Sequence, residues 1–369
     1  MVNNDTVFMA VGDIIADGPD PADLFALAKP VLQSGDVVVG QLEIPYTKRV
    51  LDTARGRDPN IIGILSSVNF HVLTFIGNHT ADMGAAGVED SITFVRKFGM
   101  EIAGAGKNIT EARKPVIIER NGVRFGFLGY NCVGPKETWA TNERPGCAYI
   151  YVITHYELDY AVPGGPPTIY TWGEYKTMEA MADDVQKLRS QCDVLTVSLH
   201  KGVIHSPMKL MGYEQPVSHA VIDAGADIVL GHHQHILQGI EMYKGKPIFH
   251  GLCNFGTYLP GLAPRPGQDA QSWAKRRRDL FGFEPDPEYP TYPFHPEAKY
   301  TIIAKCTVRN GKVAQVGYLP CLVNKQAQPE VLKHDKRGQE VFDYVEKITK
   351  GTGLNARFEW SGDEVVIRA

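Results

Sequence analysis

The stretch ADIVLGHHQHILQG, residues 226–239, decides how the rest of the chain is read. Its opening run, ADIVL, is short, apolar and rich in β-branched residues, which predicts a buried strand. Three histidines, His232, His233 and His235, fall within four consecutive residues just past the strand's carboxyl end. Imidazoles so placed are either ligands for a divalent metal or hydrogen-bonding groups of a surface loop. How the other strands end separates the two.

Four further runs have the same character: TVFMAVGD (6–13), DVVVGQLE (36–43), HVLTFIGN (71–78) and DVLTVSLH (193–200). Each finishes on a side chain able to bind metal: Asp13, Glu43, Asn78 with His79 beside it, and His200. In an open α/β sheet the carboxyl ends of the strands converge on one crevice, where ligands bind. Carboxylates, an amide oxygen and imidazoles, with no thiolate, suit one or two divalent cations, and Mn²⁺, Fe²⁺, Zn²⁺ and Ca²⁺ are all compatible. A carboxylate can bridge two ions roughly 3.5–4 Å apart, which clamp a substrate oxygen and acidify bound water.

Between the strands, helices are predicted over Pro21–Leu32, Gly87–Phe98 and about 173–190, the last with an apolar stripe of Met178, Met181, Val185 and Leu188. Hairpins are predicted over 115–130, 239–251 and 301–320, turning at Asn121-Gly122, Lys244-Gly245 and Asn310-Gly311. Parallel βα units combined with hairpins predict two mixed sheets packed together with helices outside. The catalytic domain is expected to span 1–325, with inserts at about 134–171 and 258–298. Both inserts are rich in Pro, Tyr and Trp and are read as irregular substrate walls. Residues 326–369 are expected to add a helix and a hairpin to the same domain. His295, in YPFHPE with Glu297 nearby, is a candidate proton shuttle in the second insert.

Bulk properties exclude several classes. The 369 residues are 43% hydrophobic and 22% charged, as in a globular protein. A net charge of −4 argues against nucleic acid as a partner. The basic run Lys275–Arg278 is read as a solvated helix face. None of the six cysteines forms a CxxC pair, so reduced, buried thiols in a cytoplasmic protein are expected. The N-terminus shows no signal-peptide pattern, and no apolar run approaches the ~20 residues of a membrane span.

Several blocks together carry a family resemblance: VGD, QLEIP, GNHTADMGAAGVEDSI, EIAGAGKNITEARKPVIIERNGVRFGFLGY, RPGCAY, LTVSLHKG and IDAGADIVLGHHQHILQGIEMYKGKPIFHGLCNFG. In this order, over roughly residues 6–257, the chain resembles the CapA-like family, whose namesakes serve poly-γ-glutamate capsule synthesis. That family is similar to calcineurin-like metallophosphatases. The resemblance implies a four-layer α/β/β/α sandwich of two mixed sheets with a two-metal site at the strand ends. It implies Asp13 as ligand of the first metal, Glu43 as the bridge, Asn78 and His200 on the second metal, and His233 and His235 with one metal each. His232 then becomes a supporting residue. His79 would be the general acid, oriented by Asp82. Two departures stand out: Ile14 and Ile15 lie where phosphatases carry a further ligand, and Lys201 stands where relatives often have an aromatic residue. The implied activity is metal-dependent hydrolysis of an amide, peptide-like or phosphoester substrate, with partner proteins of a biosynthetic pathway. At least one relative instead epimerises an α-carbon in lasso-peptide maturation, chemistry for which Asp13 and His295 would be the acid/base pair.

Overall fold

The structure is a computed structural model describing residues 5–49, 57–158, 165–259 and 270–369. Its apolar runs form strands buried on both faces, and these make the parallel parts of two mixed sheets. The first sheet runs from the C-terminal hairpin (Arg357–Ser361, Glu364–Arg368) through Lys312–Val323 and Tyr300–Arg309 to Thr6–Ile15, Val37–Leu42, Val72–Thr74 and Glu101–Ala103. Asn254–Thr257 pairs in parallel with Thr6–Ile15, and Pro329–Val331 pairs with Lys312–Val323. The second sheet runs Ile240–Tyr243, Lys246–Phe249, Ile228–His232, Val194–His200, Val123–Asn131, Val116–Arg120. Its three central pairings, from Lys246–Phe249 to Val123–Asn131, are parallel and its two edges are antiparallel hairpins.

The sheets meet through aromatic and branched side chains. Phe8 of the first sheet stacks on Phe125 and Phe127 of the second, with ring centroids 6.3 and 6.5 Å apart. Helices cover the outer faces. Gly84–Lys97 buries Val88, Ile92 and Val95 in the core of the first sheet. Tyr175–Arg189 and Glu214–Ala224 bury Met181, Val185, Leu188, Val217 and Val221 against the second. This is the expected α/β/β/α sandwich.

The helix Lys336–Gly351, capped by the Asp335 carboxylate, buries Val341, Val345 and Ile348, and its Thr349 hydroxyl accepts from the backbone N–H of Ile240 at 3.1 Å. It thus touches both sheets. The hairpin after it extends the first sheet by pairing Val365 with Tyr318.

The three hairpin turns form where the sequence places them, each with two successive positive φ values, such as 53° and 75° at Asn121 and Gly122. Other expectations need correcting. The helix predicted over Pro21–Leu32 is a 3-10 turn, Asp23–Phe25, and a separate helical turn, Lys29–Leu32. Pro30 has no N–H to continue a helix and instead starts the second turn. The next helix starts at Gly84, three residues early. The strand expected over 71–78 is only Val72–Thr74, so Asn78 lies in a loop beyond it. Neither insert is wholly irregular. The first carries the hairpin Val152–Glu157 and Thr168–Gly173, and the second carries the helix Ala270–Phe281. Parts of both expected inserts, 159–164 and 260–269, lie outside the described residues.

Phe8→Ala removes the ring that joins the sheets. It is expected to lower unfolding free energy by about 3–5 kcal/mol in denaturant titration. A loss under about 1 kcal/mol would show that the sheets are held elsewhere.

Candidate metal centre

The layer order brings the carboxyl ends of strands from both sheets to one place. Asp13, fully buried, lies in parallel register with Asn254 on one side and Gln41 on the other, beside an irregularity in the pairing. The backbones cross tightly there. A Cβ on Gly12 would sit 2.2 Å from the carbonyl oxygen of Cys253, so only glycine fits.

Asp13 Oδ2 accepts from the backbone N–H of His233 at 3.0 Å and lies 3.5 Å from His235 Nδ1. Its Oδ1 is 3.2 Å from His232 Nδ1, without hydrogen-bond alignment. Glu43 lies 3.6 Å from His235 Nε2 and 3.8 Å from His200 Nδ1. His200 Nε2 is 3.0 Å from Asn78 Oδ1, and its ring is 4.8 Å from that of His233. Asp13, Glu43 and His200 each offer a ligand atom within 4.8 Å of the others. The structure therefore gathers Asp13, Glu43, Asn78, His200, His233 and His235 into one crevice.

The electrostatics of this cluster call for positive charge. Asp13 Oδ1, both Glu43 oxygens and the Nδ1 atoms of His200, His232 and His233 are buried without a hydrogen-bond partner. Each such atom costs about 1–3 kcal/mol, more when charged. Burial, reinforced by the Asp13 charge, pushes the Glu43 carboxyl well above the usual carboxylate range. Burial pushes the imidazoles down: His200 far below its usual value, His233 to about 3, and His235 in the same direction. They stay neutral, which is the form that ligates metal. Divalent cations fit these residues, since they satisfy the orphaned oxygens and nitrogens and offset the two carboxylates.

A surrounding layer orients the ligands. Asn254 Nδ2 donates to the Tyr292 hydroxyl at 3.0 Å, which leaves Asn254 Oδ1 to accept from His235 Nδ1 at 2.7 Å. His235 Nε2, on the Glu43 side, is then free to ligate. His233 and His235 both adopt positive φ, 95° and 51°, a strained turn for residues with side chains. Gln234 between them holds the turn: its Nε2 donates to the His250 carbonyl at 3.0 Å, and its own carbonyl accepts from the His205 N–H at 2.8 Å.

Lys201, the departure noted in the sequence, is fully buried behind this turn. Its ammonium donates to Glu214 at 2.9 Å and to His250 Nδ1 at 3.0 Å, and His250 Nε2 reaches Glu241 at 3.0 Å. The other departure is also visible: Ile14 and Ile15 are buried among apolar neighbours and add nothing to the centre.

His79 and Asp82 pair at 2.7 Å, Nδ1 to Oδ2, both partly exposed. His295 lies at the head of a short turn. Its Nδ1 accepts from the backbone N–H of Glu297 at 3.1 Å and so caps the turn Pro296–Lys299, and its ring lies 5.0 Å from Phe283. The insert reaches the centre through the preceding residue, Phe294, 5.1 Å from the His235 ring. Sequence reasoning missed Asn254, Gln234, Glu214 and His205. It also gave His232 only a supporting place, though this side chain lies directly against Asp13. Nothing local marks Asn254 except its position at the head of a short strand, which only the sheet register sets beside Asp13.

A profile described as "Bacterial capsule synthesis protein PGA_cap" matches residues 7–258. The chain belongs to this family. The matched span contains Asp13, Glu43, Asn78, His200, His233, His235 and Asn254. Among curated PGA_cap relatives, the PGA biosynthesis protein CapA of Bacillus subtilis is 27% identical over 239 residues, covering 63% of this chain and 56% of its own length. The capsule biosynthesis protein CapA of Bacillus anthracis is 27% identical over 240 residues, with 63% and 53% coverage. The chain thus matches about half the length of these relatives. Among solved structures, a calcineurin-like phosphoesterase, YfkN of Bacillus subtilis, aligns over 94% of this chain and 97% of its own at 15% identity and TM-score 0.43. A hypothetical protein from Thermus thermophilus aligns over 85% and 98% at 13% identity and TM-score 0.49. Among the described residues no helix is long and apolar enough to cross a membrane.

Lys201→Met leaves Glu214 as an uncompensated buried carboxylate. It is expected to cost about 3–5 kcal/mol in unfolding free energy. Lys201→Met combined with Glu214→Gln should recover most of that loss, and a double variant as unstable as the single one would contradict the pairing.

Proposed function

We propose that this PGA_cap protein is a divalent-metal-dependent hydrolase acting on an amide, peptide-like or phosphoester bond. The observation that carries the reading is the set of orphaned buried ligand atoms on Asp13, Glu43, His200 and His233. Asp13, Glu43, Asn78, His200, His233 and His235 would hold one or two cations, with Mn²⁺, Fe²⁺, Zn²⁺ or Ca²⁺ compatible with the donor set. Bound cations supply Lewis-acid activation of water and of the electrophilic centre. The protein's own residues do the rest. Asp82 accepts from His79 Nδ1–H and steadies the imidazolium, whose Nε2–H is then available to protonate a leaving group. Asn254 keeps His235 in the tautomer that turns Nε2 toward Glu43. The relatives named for PGA and capsule biosynthesis support a γ-linked polyamide or its precursors as the substrate class, with further proteins of such a pathway as partners.

Metal analysis of the purified protein tests this reading. One or two equivalents of divalent metal are expected, and both His200→Ala and Asp13→Asn should lose most of it. Asn254→Ala should weaken metal affinity about 10–100-fold. Chelation should abolish hydrolysis of amide or phosphoester test substrates, and metal should restore it. Full activity in metal-free protein would overturn the proposal.

One observation favours a second reading, epimerisation at a peptide α-carbon. Ile15 is buried and apolar where a further ligand would complete the first cation site, which leaves Asp13 as a carboxylate with an unpartnered oxygen. In that reading Asp13 would act as the base and His295, whose Nδ1 accepts from the Glu297 N–H and whose Nε2 then carries the proton, would act as the acid. Incubation with a precursor peptide in D₂O separates the readings: deuterium at an α-carbon without cleavage supports epimerisation, and cleavage supports hydrolysis.

A further inference from the structure

Glu241 lies on the edge strand Ile240–Tyr243 of the second sheet, is 8% exposed and is not among the candidate ligands. Its Oε2 is 3.0 Å from His250 Nε2, and its Oε1 is 2.7 Å from His219 Nε2. On the other side of the His250 ring, Nδ1 faces the Lys201 ammonium at 3.0 Å. An ammonium can only donate, so His250 Nδ1 must accept and the His250 proton must sit on Nε2. His250 then donates to Glu241. The carboxylate thereby fixes the tautomer that makes His250 a partner for Lys201.

The backbone of His250 touches the ligand turn. Its carbonyl accepts from Gln234 Nε2 at 3.0 Å, and Gln234 stands between His233 and His235. The same amide lies 3.4 Å from the Glu214 carboxylate that pairs with Lys201. Gln234 has no slack: a Cβ on Gly202 would sit 2.6 Å from its Nε2, and one on Gly251 would sit 2.7 Å from its Oε1. In so close a packing, a displacement of His250 is passed to the turn rather than absorbed. The solvent end is also fixed. The His219 side chain is 28% exposed, and its ring stacks on Tyr243 at 3.8 Å. The Tyr243 hydroxyl and the Lys244 ammonium both bind Asp223, at 3.2 and 2.5 Å. Burial pushes the Glu241 carboxyl up, but its bonds with His250 and His219 outweigh that and hold it down to about 2, so it is ionised.

We infer that Glu241 is a positioning residue for the metal centre: through the ring and carbonyl of His250 and the side chain of Gln234, it sets the turn that presents His233 and His235. The inference rests on the proposed reading only for the cation; the relay itself rests on these hydrogen bonds. It gives a task to a buried carboxylate whose ion-pair partners among the described residues are both histidines.

Calorimetric titration of the whole protein with Mn²⁺, together with nitrogen NMR of the histidine rings, tests the relay. In the wild type His250 should carry its proton on Nε2, with Nδ1 unprotonated. Glu241→Leu removes the acceptor, so His250 should populate the other tautomer and Mn²⁺ affinity should fall about tenfold. Glu241→Gln keeps a neutral acceptor and should lose less, about threefold. In a Gln234→Ala background Glu241→Leu should cost little more, since the link to the turn is already cut. A His250 proton on Nδ1 in the wild type, wild-type affinity in Glu241→Leu, or full additivity with Gln234→Ala overturns the inference. If Glu241→Leu does not fold, Glu241→Gln decides: wild-type affinity with an unchanged tautomer overturns it. If the wild type binds no Mn²⁺, the hydrolase reading falls. The relay is then decided by the backbone amide resonances of His233 and Gln234, which should move in Glu241→Leu; unmoved resonances overturn it.

Discussion

Two carboxylates, Asp13 and Glu43, are buried at the floor of one crevice, and three of their four oxygens have no hydrogen-bond donor. Neighbouring buried negative charges are strongly unfavourable unless protonated, paired or bound to a cation. Much of the surrounding structure is arranged around that constraint. The fourth oxygen, Asp13 Oδ2, anchors the histidine turn through the backbone N–H of His233, and the Asp13 carbonyl receives the Thr257 hydroxyl at 2.8 Å. The same residue therefore ties the first strand, the Asn254–Thr257 strand and the ligand turn together. The neutral imidazoles of His200, His233 and His235 complete the lining, so these three rings need no further titration to accept cations.

A second buried charge system supports the first from behind. Lys201, Glu214 and His250 lie beneath the turn that carries His233 and His235, and Gln234 links the two layers through the His250 carbonyl. Positive φ at both His233 and His235 would be relieved by a small backbone shift if the turn were free. The buried salt bridge contributes geometry rather than net stability, since taking both ions out of water costs about as much as their attraction returns. Lys201 is thus no defect in the family pattern; in this chain it is the base on which the ligand turn sits.

The sequence was most legible where local pattern and function coincide. Short apolar runs ending in Asp13, Glu43, His200 and the GHHQH stretch could be recognised because a buried strand has few polar residues, and those at its carboxyl end face the crevice. The three hairpins were equally plain from their Asn-Gly and Lys-Gly turns. What escaped depends on register between distant strands or on loop placement. Asn254 matters because it lies beside Asp13, 241 residues away in the chain, a pairing no local pattern encodes. His205 meets Phe281, Phe283 and Phe294 only through the fold of the second insert, whose Pro-rich composition hid a helix and an aromatic box. His295 drew attention as a histidine in that insert, whereas the ring that reaches the centre belongs to its neighbour Phe294.

The account depends above all on cations occupying the space between Asp13 and Glu43. Anomalous diffraction from crystals of the protein grown with Mn²⁺ measures this directly. Strong peaks are predicted between the Asp13 and Glu43 carboxylates and the imidazoles of His200, His233 and His235. A clean map at that position in well-ordered crystals, with both carboxylates intact, would contradict the account.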